Sequence, residues 1–402
     1  MTTTINNEHK KLNVPNLRFP EFQGEWEKCI LGDITENFNL RNKDKIQYPM
    51  FSVTNDRGFV PQSEQFEGRD MVGEDIKAYK IIHTNDFAYN PARINVGSIA
   101  MYTGEKPCMI SSLYVCFKTT KEVNNEWLMQ LLKTPKMNYY YNVNGEGGVR
   151  VYLFYPNFAR IRMSIPKIEE QKKIAKLLNL IDERIATQNK IIEDLKKLKS
   201  AIIENVFDDK HSERLQLDNV GSYIRGLTYS SNDVVEHGGT LVMRSNNIVN
   251  GSLLDYNNNV VFVNKQMSAK QQLQNGDIVI CMANGSSSLV GKSSFYDGNW
   301  HSPITVGAFC GIYRSKEPIV KWLFQTNKYR RYIWNSLQGG NGAIANLNGE
   351  DILNMSFSIP NTPIKDTCVK MLTSVDSALE NNMSLCALYT LQKQHLLRQM
   401  FI

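Results

Sequence analysis

The sequence predicts an α+β fold built twice: two mixed α/β units, each followed by a long helix, with the two helices packed on each other. Three observations point there. SIPKIEEQKKIAKLLNLIDERIATQNKIIEDLKKLKSAIIENVF from Ser164 and SIPNTPIKDTCVKMLTSVDSALENNMSLCALYTLQKQHLLRQMF from Ser358 align without a gap at an offset of 194 residues. Both carry apolar residues in alternating steps of four and three, the repeat that keeps one stripe of a helix facing a partner helix. Upstream of each lie short apolar runs separated by Gly, Asn and Asp, such as HTNDFAYN and QNGDIVICMANG, the pattern of strands and turns.

In the first helix the seam is Ile174, Leu178, Ile181, Ile185, Gln188, Ile192, Leu195, Lys199, Ile202 and Val206. In the second it is Cys368, Leu372, Val375, Leu379, Asn382, Cys386, Tyr389, Lys393, Leu396 and Met400. Polar residues interrupt it at the same two rungs in both copies, Gln188 with Asn382 and Lys199 with Lys393. Unrelated amphipathic helices have no reason to share interruptions, so the two read as duplicated partners whose polar rungs fix register or orientation at some cost in stability. Each helix follows a Ser-Ile-Pro, and because proline favours extended chain before it, the helix should start a few residues later. About 40 residues at 1.5 Å each make a rod of about 60 Å.

The duplication continues upstream. Cys116 answers Cys310 and Asn90 answers Asn284 at the same offset, and Asn125-Glu126-Trp127-Leu128 recurs as Val320-Lys321-Trp322-Leu323, shifted by one residue. A glycine-rich loop and a Leu precede each Ser-Ile-Pro, VNGEGGVRVYL and LQGGNGAIANL. EWLMQLLKTPKMNYYYN and VKWLFQTNKYRRYIWNSLQ suggest one or more helices per unit. The expected division is an N-terminal tail over 1–13, a first unit over 14–166, a long helix over 167–210, a second unit over 211–360 and a second long helix over 361–402.

Composition narrows the classes. At 402 residues the chain can bury two or three cores, and 42% hydrophobic with 21% charged residues is ordinarily globular. The net charge of +6 permits an anionic partner such as nucleic acid without requiring one. No run of about 18 apolar residues and no apolar leader core occur, which leads to the expectation of a cytoplasmic chain without membrane contact. Seven cysteines, odd in number and never spaced C-x-x-C, fit buried thiols in a reducing compartment, and no metal-ligand spacing is present. No H-E-x-x-H or G-x-S-x-G signature offers catalysis a home.

One stretch argues for nucleotide binding, and it fails on spacing. GSSSLVGKS, Gly285 to Ser293, ends like a phosphate loop, but such a loop needs four residues between its first Gly and the Gly-Lys pair; here Gly285 lies one residue too early and Ser286 takes its place. No helix pattern follows to aim an N-terminus at a phosphate. In the repeat alignment the stretch lies opposite PARINVGSI, Pro91 to Ile99, so it reads as a variable loop on a shared scaffold.

Two divergent units, each followed by a helix in coiled-coil register, together with the opening Ile165-Pro166-Lys167-Ile168-Glu169-Glu170-Gln171-Lys172-Lys173-Ile174, resemble the specificity subunit of type I restriction-modification enzymes. The resemblance runs from about Val14 to Ile402. The second opening, Ile359-Pro360-Asn361-Thr362-Pro363, lacks the Glu-Gln pair. The resemblance implies two target recognition domains separated by an antiparallel coiled coil, reading two DNA half-sites across an unread spacer. It implies a non-catalytic chain that docks two methyltransferase subunits and, with them, motor and nuclease subunits, so that S-adenosylmethionine, ATP and Mg belong to those partners and no cofactor to this chain. The absence of Asn-Pro-Pro-Tyr agrees with this, since NPAR at Asn90 to Arg93 lacks the second Pro and the aromatic.

Major-groove readout uses Arg or Lys for guanine and Asn or Gln for adenine, whereas Lys, Arg and Ser also serve phosphates. Polar loop segments at matching places in the two units supply the candidates. In the first unit these are Asn55, Arg57, Asn90, Arg93 and Asn95, with Arg150 in the glycine-rich loop. In the second they are Arg244, Asn246, Asn247, Ser287 and Lys292, with Asn341 in the corresponding loop. A coiled-coil adaptor and a free-standing DNA binder are the rival readings; the adaptor would lack the steep salt dependence of a phosphate-contacting reader.

Overall fold

The computed structural model describes residues 12–65, 76–147, 151–207, 213–337 and 345–402. The chain divides into two compact units, 1–189 together with 384–402, and 190–383. Each long helix therefore contributes one half to each unit: the first spans Ile168–Val206 and the second Thr362–Gln399.

The first unit is built on a four-stranded antiparallel sheet in the order Thr35–Phe38, Val115–Thr119, Phe87–Tyr89, Ile99–Met101. Its inner strand Phe87–Tyr89 is buried at every position, which is why it is apolar throughout. The second unit repeats that order with Gly221–Arg225, Cys310–Ser315, Ile278–Cys281 and Ser293–Phe295. A two-stranded ribbon precedes each helix, Glu27–Ile30 with Arg162–Ile165 and Glu213–Gln216 with Ser356–Ile359. Ile165 and Ile359 close these ribbons in the same register, so each Ser-Ile-Pro is the end of a strand and its proline frees the chain to turn into the helix.

The units differ beside the main sheet. In the second, Val234–Val235, Val261–Val263, Thr240–Met243 and Ile304–Val306 form a complete four-stranded sheet whose last pair is parallel. In the first, the same place holds two antiparallel pairs, the hairpin Phe51–Thr54 with Gly58–Pro61 and the long-range pair Lys80–Ile82 with Cys108–Ile110, and a parallel pairing is present as one bridge between Met50 and Met109.

Each core takes in the start of one long helix and the end of the other. In the first unit Trp26, Trp127, Phe117 and Phe158 pack with Ile174 and Leu178 and with Leu397, Met400 and Phe401. In the second Trp322, Tyr313 and Phe357 pack with Ile203, Val206 and Phe207 and with Cys368 and Leu372. Contacts within the first unit run antiparallel, Asp182 to Lys393, Arg184 to Tyr389 and Asn189 to Cys386.

Along the seam Ile174, Leu178, Ile181, Ile192, Leu372 and Leu379 are buried, and Ile185, Leu195, Val375, Tyr389 and Leu396 are half-buried. At the C-terminal end of each helix the seam slips by one residue from the heptad expectation. Ile203 rather than Ile202, and Leu397 rather than Leu396, are the buried residues, at the same offset of 194. A helix of 3.6 residues per turn drifts against a 3.5-residue repeat, and here the last turns face a globular core as well as a helix.

The polar rungs have defined partners. Lys393 Nζ pairs with Asp182 at 2.6 Å, and Gln130 donates to the same carboxylate at 2.8 Å. Lys199 Nζ pairs with Asp376 at 2.6 Å, and Lys321 and Trp322 Nε1 donate to its other oxygen at 2.7 and 3.2 Å. Asp376 stands 194 residues after Asp182, as Lys393 does after Lys199, so one ion pair occurs once in each unit with the helix roles exchanged.

The Glu-Gln pair of the first helix opening is structural. Arg18 clamps Glu170 through Nε at 2.8 Å and Nη2 at 2.7 Å, and Trp26 Nε1 donates to it at 3.3 Å. Gln171, fully buried, accepts from the Asn124 backbone N–H at 2.8 Å and donates to the carbonyls of Pro166 and Glu122. The equivalent of Glu170 in the second copy, Ile364, is 52% exposed, and the equivalent of Gln171, Lys365, pairs with Glu317. Among the described residues the second copy has neither the Glu-Gln pair nor a clamp of this kind on Ile364 or Lys365.

Candidate nucleic-acid interface

In the first unit two turns meet. The hairpin turn Thr54–Gly58 is closed by Thr54 Oγ1, which accepts from the Arg57 N–H at 3.0 Å, and it leaves Asn55 and Arg57 exposed. The turn at 90–97 starts with Asn90 Oδ1 accepting from the Ala92 N–H at 3.0 Å and ends at Gly97. Gly97 sits at φ +103°, and a Cβ there would lie 2.9 Å from the Asn55 carbonyl oxygen, so the two turns touch at backbone distance. Ser98 Oγ donates to Val53 O at 2.7 Å and ties the same two segments together. Arg93 is exposed, and Asn95 is linked to Asn142 of the helix Pro135–Asn144 at 3.0 Å. The structure thus brings Asn55, Arg57, Asn90, Arg93 and Asn95 into one neighbourhood. Arg150 lies outside the described residues, as does Asn341; the chain before and after Arg150 is held by a Glu146–Tyr152 pair and by Leu153 N–H on Pro91 O at 2.9 Å, beside this same turn.

The second unit repeats the arrangement with other side chains. Asn284 Oδ1 accepts from the Ser286 N–H at 3.0 Å, the same two-residue turn that Asn90 makes 194 residues earlier. Asn284 Nδ2 reaches Ser245 Oγ at 3.4 Å and joins this turn to the Arg244–Asn247 segment. A cleft of about 470 Å³ opens there, lined by Tyr229, Arg244, Ser245, Asn246 and Phe309 among others. Arg244 anchors one nitrogen on Asn259 O at 2.9 Å, while its Nε is buried and without a partner among the described residues.

One expected reader, Asn247, is corrected by burial and bonding. Asn247 is fully buried; its Oδ1 accepts from the Arg244 N–H, and its Nδ2 donates to Asp255 O at 3.1 Å and Asn258 O at 2.7 Å, so it shapes the loop and cannot meet a base. Asn90 is half-buried with its carbonyl spent on the turn, which leaves only its amide group outward. Asn246, Ser287 and Lys292 do reach the surface at least in part.

Sequence reasoning missed the aromatic members. Phe309 is 67% exposed although its carbonyl is bonded to the Met282 and Ala283 N–H groups, and Trp334 is 64% exposed. The only sequence signal was the one-residue shift that aligns Trp127 with Trp322, which also aligns Tyr139 with Trp334.

Each of the two units thus carries a main sheet of the same strand order with an Asx turn at the same place. Residues 23–197 match the family described as "Type I restriction modification DNA specificity domain". The chain is 34% identical over 155 residues to the EcoKI specificity subunit of Escherichia coli K12, covering 36% of this chain and 31% of that protein. It is 33% identical over 153 residues to the StySPI specificity subunit of Salmonella potsdam, covering 36% and 31%. These matched segments span about a third of the length of those relatives. The S subunit of a type I restriction-modification system from M. genitalium shares the fold at a TM-score of 0.62 and 12% identity, with 97% of this chain and 99% of that one covered. The matched family domain lies in the first half of the chain, and the whole chain shares the fold of that S subunit. Among the described residues no helix is long and apolar enough to cross a membrane.

Proposed function

We propose that the chain is the DNA-reading subunit of a type I restriction-modification complex, each unit reading one half of a bipartite duplex target. The observation that carries this reading is the repetition of one turn pair on one sheet order with changed side chains. Asn55 and Arg57 stand in the first unit on the turn that meets the Asn90 turn, as Arg244 and Asn246 stand beside the Asn284 turn in the second, and Arg93 and Asn95 lie opposite Ser287 and Leu289. A scaffold held constant while its exposed polar residues diverge suits two different half-sites. The long helices act as the ruler that sets the spacer, and two methyltransferase subunits dock on the chain, joined by motor and nuclease subunits. S-adenosylmethionine, ATP and Mg chemistry resides in those partners, and this chain is non-catalytic.

The test is co-expression with the cognate adenine methyltransferase in an unmethylated host, followed by single-molecule mapping of methylated adenines. A bipartite motif with a fixed gap is expected, and exchanging residues 14–163 or 215–357 for those of a relative should change one half of it alone. Stable co-purification without any motif would refute the reading.

A further inference from the structure

GSSSLVGKS is not a phosphate loop, yet the structure builds its end into a cationic pocket. Gly291 has φ +82°, and a Cβ there would meet the Ile333 side chain at 2.7 Å; Tyr329 Oη donates to its carbonyl at 2.8 Å. Its place in the repeat is that of Gly97, also at positive φ, so the glycine serves close packing of turn on neighbour in both units. Ser293, which a phosphate loop would expose to a metal, is fully buried with its hydroxyl on Phe324 O. What remains partly exposed is Lys292, which lines a pocket of about 270 Å³ together with Arg330 and Trp334 of the helix Asn327–Leu337 and with Ser287 and Ser288.

Among the described residues no carboxylate pairs with Lys292 or Arg330, so two cations and two hydroxyls face one space with no internal anion. Trp334, one turn from Arg330 and thus on the same helix face, is 64% exposed. Its counterpart Tyr139, under the one-residue shift that aligns Trp127 with Trp322, is 63% exposed on the helix joined to the first unit's turn through Asn95 and Asn142. A large aromatic thus stands exposed at the same place in both copies, each on a helix beside a turn of the candidate interface. Hydroxyls, a point-charge Lys and an Arg fork suit phosphate oxygens, and an aromatic suits the adjoining sugar or base.

The geometry points to a phosphodiester seat: Ser287, Ser288, Lys292 and Arg330 hold a backbone phosphate of duplex DNA, and Trp334, like Tyr139 in the first unit, braces the groove wall. The assignment rests on the DNA-reading role proposed above and adds that this pocket supplies affinity and not base choice.

The test uses the full chain with its methyltransferase subunits and a fluorescent duplex carrying the mapped motif, titrated at 50 to 200 mM salt. Each phosphate contact contributes about 0.9 to the slope of log affinity against log salt. The double variant Lys292→Ala with Arg330→Ala should therefore bind more weakly, yet lose about 3.5-fold less affinity than the parent across that fourfold salt range. The methylated motif should keep its sequence, Lys292→Arg should retain the slope, and Trp334→Ala should weaken binding with the slope unchanged. An unaltered affinity and slope in the double variant, or one position of a half-site becoming degenerate, would overturn the assignment. A parent complex that produces no bipartite motif overturns the DNA-reading role instead, and this is read before any variant is made.

Discussion

Replacing Asp376 with Ala should cost far more than the same change at its repeat partner Asp182. The Asp376 side chain is 10% exposed and receives Lys199 (9% exposed), Lys321 and the Trp322 indole N–H. Its removal leaves the buried Lys199 ammonium with the Gly251 carbonyl at 3.1 Å but no counter-charge from Asp376, and the buried Trp322 indole N–H without an acceptor; breaking a buried pair in this way costs about 3–5 kcal/mol. Asp182 is 42% exposed and its Lys393 17%, so water replaces most of what the carboxylate supplied, and the expected cost is about 1 kcal/mol or less. At about 2–4 °C per kcal/mol for a unit of this size, the melting point should fall by roughly 6–20 °C in one variant and by at most about 4 °C in the other. Urea denaturation followed by tryptophan fluorescence reads this directly, because Trp322 touches Asp376. Pairing Asp376→Leu with Lys199→Met should recover most of the loss, since apolar replacements of buried pairs are often neutral or stabilising.

The acid limb adds a sign test. Burial pushes the Asp376 carboxyl up, but Lys199 and Lys321 outweigh it and hold the group below the ordinary carboxylate range. A depressed folded pKa stabilises above the unfolded value of about 4, and that stability is lost as pH falls through the folded value. The parent should therefore lose stability below about pH 4 more steeply than Asp376→Ala does. Equal destabilisation by Asp376→Ala and Asp182→Ala, or matching acid limbs, would refute the burial argument.

Gln171→Ala should destabilise the first unit by about 1–3 kcal/mol, because it strands the buried Pro166 carbonyl and removes partners from the half-buried Asn124 N–H and the Glu122 carbonyl, while the methylated motif stays the same. Gly291→Ala should cost about 2–3 kcal/mol through its positive φ and the Ile333 contact, whereas Gly285→Ala, with nothing within 4 Å of the new methyl, should fall within about 0.5 kcal/mol. Urea titration checks both.

The duplication, the two long helices and their shared polar rungs were legible in the amino-acid order, because helical periodicity is local and a copied seam keeps its interruptions. Which residue each rung meets was not. Asp182 and Lys393 are 211 positions apart, and no local pattern marks the carboxylate that a buried lysine requires. The same holds at the interface. Asn246 and Asn247 are neighbours of identical chemistry, and only the loop through Asp255 and Asn258 decides that one faces solvent while the other closes the fold. Gly291 and Lys292 likewise spell a nucleotide motif in the linear chain; the helix packed against them makes the glycine a spacer and leaves the lysine beside Arg330 and Trp334. Local spacing determines which elements form, whereas exposure and pairing depend on chain segments far apart in sequence, and those the tertiary structure alone decided.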